Sequence, residues 1–476
     1  MRLRSPLASL FLFIPLALLI ACGGSSQSPT QPSINVSISP AAANLLVGST
    51  AKFTASITGH SNPAVTYRVV QGAAGGDVLG TGDYVAPRVP GTYTVRASSV
   101  ADPTRFADAT VTVRDYGTTV TQSSQPADGY DYHTASLLPD GSVLIVGGTG
   151  ATEPMHRASL RFIPSTNSYQ ADAPLQTARM GHVAFTLPGG KIIVAGGQDP
   201  TVPGSAFDPV FKSSEIYDPA TKTFTAGPDM NFPRRHHVAT PLPDGRVLIT
   251  GGIQLRGTGF GASMNTEIYD PSANKFLAGN TMNEGRWLHT ATLLQDGRVL
   301  IVGGRSTNCT GTCPNFALNS AEIFDPATGN FTPTGALNIS RHSHTATLLS
   351  DGRVLVLGGE TAEDLGTGDG RVGRAEVYDP ATGKFTAWTQ LVLPRSGHAA
   401  TLLNNGKLWV TGGYRVTSIA TDRTELFDPA TGTSAEGPLM HEFHVRHTAT
   451  HLPNGEILIF SGNNGGQPIA AAELLR

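Results

Sequence analysis

Seven histidines in this chain could do chemistry, and their spacing decides how they are read. His133, His182, His237, His289, His344, His398 and His447 recur at intervals of 49 to 55 residues. Imidazole is the usual choice for acid–base work near neutral pH and a common metal ligand. An arginine stands three residues before five of them (Arg179, Arg234, Arg286, Arg341, Arg395), and a glutamate follows in six units (Glu215, Glu267, Glu322, Glu376, Glu425, Glu473). The first unit lacks both, with Tyr130 and Leu160 in their places, so the two are expected to pair. The last unit keeps Glu473 but has His444 at the arginine position. Groups repeated this regularly are framework, because an active site has to break the symmetry. His441, His444, His447 and His451 form the densest cluster, yet His447 belongs to the repeated series and no metal site is assigned. No carboxylate pair or activated nucleophile stands out, so no catalytic residue and no cofactor is assigned.

The elements that position these residues follow from the line that contains them. HTATLLQDGRVLIVGG from His289 is one of seven copies, and each piece has a physical reason. Asp-Gly or Asn-Gly (Asp140-Gly141, Asp244-Gly245, Asn405-Gly406) supplies the positive-φ pair of a tight hairpin. The next run, such as Val299-Leu300-Ile301-Val302, is apolar on both faces, as in a strand packed between neighbouring sheets. Gly303-Gly304 removes side chains where backbones crowd, Ala321 to Pro326 reads as a third strand, and Asn330-Phe331-Thr332 opens a fourth. The last copy stops at its third strand, Glu473 to Arg476, and the missing fourth is available at Thr118-Thr119-Val120-Thr121. That strand is expected to close a ring of seven sheets.

The rest of the chain reads as an export signal and a small β-domain. Arg2 and Arg4 precede an apolar stretch from Leu7 to Ile20, which ends in Leu19-Ile20-Ala21-Cys22-Gly23. This resembles a bacterial lipoprotein signal, which implies cleavage after residue 21, acylation of Cys22 and a lipid anchor in the membrane. Gly23 after the cysteine implies the outer membrane or cell surface. Residues 22–33 then read as a flexible linker. Residues 34–114 alternate as strands, with Ala51, Phe53, Ala55 and Ile57 as an inward set. They resemble bacterial Ig-like domains, with Tyr93 placed to form a tyrosine corner and Tyr67 where a core tryptophan is common. Cys309 and Cys313 are expected to form a small loop disulfide in an exported protein. A balance of 33 basic against 36 acidic residues, with no basic run, excludes a nucleic-acid groove, and a monomer is expected.

Residues 115–476, with Gly-Gly and Glu-x-Tyr-Asp-Pro motifs, resemble the kelch family, closest to the galactose oxidase central domain and its bacterial relatives. The resemblance implies an all-β chain: a seven-bladed kelch-type β-propeller preceded by the Ig-like sandwich. It is specific for fold and not for activity. Galactose oxidase chemistry needs a cysteine joined to a tyrosine, a second tyrosine and two histidine ligands, one from a further C-terminal domain. Cys309 and Cys313 have no adjacent tyrosine and that domain is expected to be lacking, so the copper site transfers to no residue here.

Function is therefore sought in the irregular loops on one face, residues 198–212, 253–264, 305–319, 360–374 and 414–423. The expected ligand-binding residues are Tyr132, Trp287, Arg305, Arg371, Tyr414 and Arg415, an aromatic platform with cations. The reading is a cell-surface lipoprotein that binds polysaccharide or an extracellular protein. The alternative is a divergent propeller enzyme acting on carbohydrate without the copper site.

Overall fold

The computed structural model describes residues 33–117, 120–201, 209–256, 259–307, 316–361, 370–415 and 419–476. The repeated line folds as its residues require. In the unit of His289, strands Thr290–Leu293, Val299–Val302, Ala321–Asp325 and Asn330–Pro333 pair in order as an antiparallel sheet. Gly297 takes φ +86° in the hairpin between the first two strands, a conformation open to glycine without steric cost. Val299 to Val302 are fully buried because both faces of the second strand meet neighbouring sheets.

Seven such four-stranded sheets follow one another among the described residues. Each first strand packs on the first strand of the next sheet, and Thr448–His451 packs on Thr134–Leu137, so the sheets form a closed ring. The last sheet is completed from the other end of the series: Val120–Gln122 pairs antiparallel with Ala472–Leu475, placing Val120 opposite Leu475. The expected closing strand is thus present from Val120, while residues 118 and 119 lie outside the described residues.

Two sets of fasteners hold the ring. The first links each sheet to the next through the repeated histidine. His182, His344, His398 and His133 place Nε2 2.9–3.1 Å from the hydroxyls of Thr134, Thr290, Thr345 and Thr448, each in the preceding sheet. Where valine or alanine replaces that threonine, at Val238 and Ala399, the hydroxyl comes instead from the end of the second strand. Thr250 reaches His289 at 2.9 Å and Thr411 reaches His447 at 2.8 Å. Val183 and Ala195 occupy both positions ahead of His237, and both ring nitrogens of His237 are buried without a partner. The second set works within a sheet. Arg179, Arg234, Arg286, Arg341 and Arg395 have no exposed surface and meet Glu215, Glu267, Glu322, Glu376 and Glu425 at 2.6–3.0 Å. Each also donates to the carbonyl of the first glycine of its Gly-Gly pair, as Arg179 does to Gly196 at 2.8 Å. His444 spans the same two acceptors in the last unit, 2.8 Å from the Ser461 carbonyl and 3.0 Å from Glu473. In the first unit, with no such pair, Tyr130 stacks on His156 at 4.1 Å.

Residues 33–117 form separate sheets, the largest pairing Ala42–Leu46, Phe106–Arg114, Gly91–Ser99 and Val65–Val69 in that order. Phe53 is fully buried between half-buried Ala51 and Ala55, in line with the alternation, and Tyr67 is half-buried. The Tyr93 hydroxyl donates to the Val89 carbonyl at 3.0 Å. One hydrophobic cluster runs from Leu46, Val47 and Phe53 through Tyr116 to Trp409, Ile457 and Leu475 of the ring.

Deleting residues 115–125 removes the closing strand and bares a sheet edge; the melting temperature is expected to fall by ~5 °C or more. An unchanged melt would show that the ring does not need it. Val183→Thr gives His237 the hydroxyl it lacks and is expected to raise stability by about 1 kcal/mol in denaturant titration.

Candidate functional site

The residue before each repeated histidine lies in the left-handed region in all seven units. These are Tyr132, Gly181, His236, Leu288, Ser343, Gly397 and Arg446, with φ between +52° and +61°. The conformation lets the belt join unit to unit: the N–H groups of Gly181, His236, Ser343, Gly397 and Arg446 donate to the carbonyls of Tyr132, Gly181, Leu288, Ser343 and Gly397 at 2.8–3.2 Å. Glycine would adopt it freely, whereas a side chain there costs roughly 1 kcal/mol or more. Five units carry that cost, and their side chains face a common cavity.

Two further positions complete the frame. The residue before the belt forms a β-bridge with the residue after Gly-Gly, as in Trp287 with Arg305, His342 with Glu360 and Ser396 with Tyr414. The positions repeat, but their occupants differ from unit to unit, which is the broken symmetry a site requires. Together they enclose a cavity of about 200 Å³ lined by Tyr132, Trp287, Arg305 and Tyr414, with His236, His342, Glu360 and Arg446. The structure thus brings four of the six expected binding residues to one place. Arg371 stands behind them, paired with Glu360 at 2.5 Å and 5.8 Å from the Tyr414 ring. Arg415 is not a lining residue; its backbone pairs with Ile419 in the short ribbon that leads away. Cys22, Cys309 and Cys313 lie outside the described residues. The expectation from sequence did not include His236, His342, Glu360 or Arg446. The positions just before the repeated histidine and just after Gly-Gly would have pointed to all but His342, which stands one place further out.

The side chains form a chain of ring and cation contacts around the mouth. Arg446 lies 4.4 Å from the Tyr132 ring, Tyr132 is 5.0 Å from His236, His236 is 6.0 Å from Trp287, and Arg305 is 5.0 Å from the Trp287 ring. Asp131 holds Arg446 with two bonds at 3.1 and 2.7 Å and also accepts from Asn463 at 3.0 Å. Burial opposes the Arg446 charge, but Asp131 outweighs it and holds its pKa above the ordinary value. Burial, helped by neighbouring arginines, pushes His236 and His342 down to about 3, so both are neutral at physiological pH. Burial also pushes the Tyr132 hydroxyl up and lowers Arg305.

No family model matches the chain. Galactose oxidase of Gibberella zeae is 28% identical over 178 residues, 37% of this chain and 23% of that protein. Kelch-like protein 15 of Homo sapiens is 25% identical over 236 residues, 46% of this chain and 37% of that protein. The matches therefore span well under half of those relatives' length. A solved fungal alcohol oxidase of the AA5 family, in complex with copper, superposes with a TM-score of 0.57 at 16% identity, covering 75% of this chain and 76% of that one. The fold is that of a kelch and galactose oxidase-like propeller. Among the described residues of this propeller, no group of three or more His, Cys, Asp or Glu side chains is arranged to hold a metal ion.

The repeated histidines of the propeller are equally unsuited to proton transfer. Burial pushes His133 down to about 4, His182, His289 and His398 to about 3, and His237, His344 and His447 well below the ordinary value. Below pH ~6.5 the unfolded chain binds protons on these groups while the folded chain does not, so acid favours unfolding. Stability from this source is complete above that pH and falls by up to ~1.4 kcal/mol per pH unit per histidine as pH drops toward 4. Denaturant titrations at pH 7 and pH 5 are expected to show a loss of order 1–2 kcal/mol per histidine, on the order of 10 kcal/mol for the seven; a flat profile would contradict the burial assignment.

Proposed function

We propose that this chain is an exported lipoprotein whose propeller binds a glycan at the channel mouth. In this reading Cys22 carries the lipid at the outer membrane or cell surface, and residues 22–33 are a tether. Residues 34–114 are an Ig-like spacer, and residues 115–476 form a seven-bladed propeller. The seven sequential sheets and the ring of first-strand contacts support the blade count. The Tyr93 hydroxyl bond to Val89 supports the Ig-like assignment, being the contact a tyrosine corner makes. Cys309 and Cys313 form a loop disulfide in this scheme.

The observation that carries the binding assignment is the cavity in which Tyr132, Trp287 and Tyr414 meet Arg305. Aromatic faces with a few placed polar groups are the usual make-up of a small-ligand site. Left-handed side chains at Tyr132 and Arg446 are retained at an energetic cost, and such strain gathers where function holds it. The likeness to galactose oxidase supports a second reading, a propeller enzyme acting on carbohydrate at the same mouth. Burial holds His236 and His342 at about 3, which makes these two imidazoles poor general bases near neutral pH and favours binding over catalysis.

Residues 23–476, purified in soluble form and screened on glycan and protein arrays, are expected to retain glycans. The Trp287→Ala, Tyr414→Ala double variant is expected to lose about tenfold or more of that affinity while melting normally, since stacked aromatic anchors dominate such sites. Affinity untouched by the double variant would remove the site from the channel mouth. Retention of proteins alone would replace the glycan with a protein partner.

A further inference from the structure

The polar groups around the cavity are not all committed. Arg446 is held by Asp131, and Glu360 by Arg371, so these two carboxylates already have their cations. Arg305 differs. Among the described residues no carboxylate lies within ion-pair distance of it; Glu360 acts on it only from further off, and its guanidinium lies 5.0 Å from the centre of the Trp287 ring. Its Nε–H is buried without an acceptor, and so is the Nε1–H of Trp287. Two buried donors without partners, one on a cation, line the same small space. A buried donor without an acceptor is costly, and a ligand that supplies one recovers that cost.

The surroundings select the charge of such a ligand. His236 and His342 are neutral, and the lining carboxylate Glu360 is paired with Arg371, so the lining charge without an ion-pair partner among the described residues is that of Arg305. A guanidinium offers a planar fork of donors that fits carboxylate and sulfate oxygens in pairs. The volume selects the size. At about 200 Å³ the cavity falls below the ~300–1,000 Å³ of sites for drug-sized ligands, which suits one sugar ring rather than a length of peptide.

We propose that the channel mouth takes a single anionic sugar residue, its carboxylate or sulfate held by Arg305 and Trp287 Nε1 and its ring bounded by Tyr132 and Tyr414. This rests on the glycan-binding reading and narrows it to a substrate class. Arg305 would then be the residue that sets specificity, because Arg446 and Arg371 are already held by Asp131 and Glu360.

The test uses the full-length chain in detergent and calorimetric titration with four probes: methyl β-D-glucuronide, methyl β-D-glucoside, galactose 6-sulfate and galactose. The expected result is that at least one anionic probe binds about tenfold or more tighter than its neutral counterpart, as a charge-assisted bond predicts. Which of the two does so distinguishes carboxylate from sulfate. Arg305→Gln, checked for an unchanged melt, is expected to abolish the preference while leaving weak binding of the neutral sugars. Neutral sugars that bind as tightly as anionic ones overturn the proposal and leave the glycan-binding reading intact. So does an anionic preference that survives Arg305→Gln. Failure of all four sugars to bind overturns both. Should Arg305→Gln melt early, Arg305→Lys keeps the charge but loses the fork, and a preference equal to wild type in that variant also counts against the proposal.

Discussion

Around the channel the backbones of adjacent sheets approach so closely that there is no room for a side chain at two successive positions in nearly every unit. A Cβ on Gly147 would lie 2.5 Å from the Arg179 carbonyl and 2.7 Å from the His182 ring of the next sheet. One on Gly148 would lie 2.6 Å from the Asp131 carbonyl of its own sheet. The same crowding recurs at Gly196-Gly197, Gly251-Gly252, Gly303-Gly304, Gly358-Gly359 and Gly412-Gly413. Because the glycines clear that space, an imidazole can enter and reach a hydroxyl one sheet away, and the ring closes. The left-handed belt residue follows from the same approach, since its N–H must turn toward the carbonyl of the preceding unit.

Closing the ring this tightly takes charged groups out of water, and the sheets deal with that locally. Each buried arginine satisfies its charge on a glutamate and places Nη1 on two backbone carbonyls, while the glutamate accepts loop N–H groups, as Glu215 does from Gln176 and Thr177. Such pairs add little net stability over an apolar core of the same shape, but losing one partner costs about 3–5 kcal/mol. Their value here is geometric: each one ties the Gly-Gly corner, the third strand and the incoming loop into one piece. The substitution of His444 keeps both contacts, which shows that the two acceptors matter more than the identity of the donor. First-unit Tyr130 and His156 solve the same corner with a stack rather than an ion pair.

The frame that results is symmetric, and the site is what the symmetric frame displays. Three repeated positions (before the belt, on it and after Gly-Gly) supply the lining of the mouth, and they hold residues as different as Gly397, Trp287 and Arg446. The fasteners could not serve as the site, because their histidines are buried and held neutral. The mouth residues can, because only there does a repeated backbone position carry an unrepeated side chain. A larger cleft of about 840 Å³ exists between the N-terminal sheets and the ring, but it is lined by the repeated turn residues, such as Asp351, Arg353 and Lys407.

From the residues alone one could read the repeat, the four strands of each unit, the framework role of the histidines and the pairing of arginine with glutamate. These are local or periodic properties: a hairpin needs Asp-Gly, a doubly covered strand needs an apolar run, and symmetry shows in the spacing. The strand that completes the last sheet was also legible, because an incomplete final copy requires its fourth strand from elsewhere. Tyr132, Trp287, Arg305 and Tyr414 were legible as aromatic and cationic residues at loop entrances, but their convergence was not. That convergence depends on ring closure, which makes the last unit the neighbour of the first, as with Asp131 and Arg446, which lie 315 residues apart. Tertiary structure also decided that Arg415 does not line the cavity, that Arg446 and Arg371 are paired with carboxylates, and that Arg305 has none within ion-pair distance among the described residues. Charge and residue type belong to the sequence; whether a charge is already paired is settled only when distant parts of the chain meet.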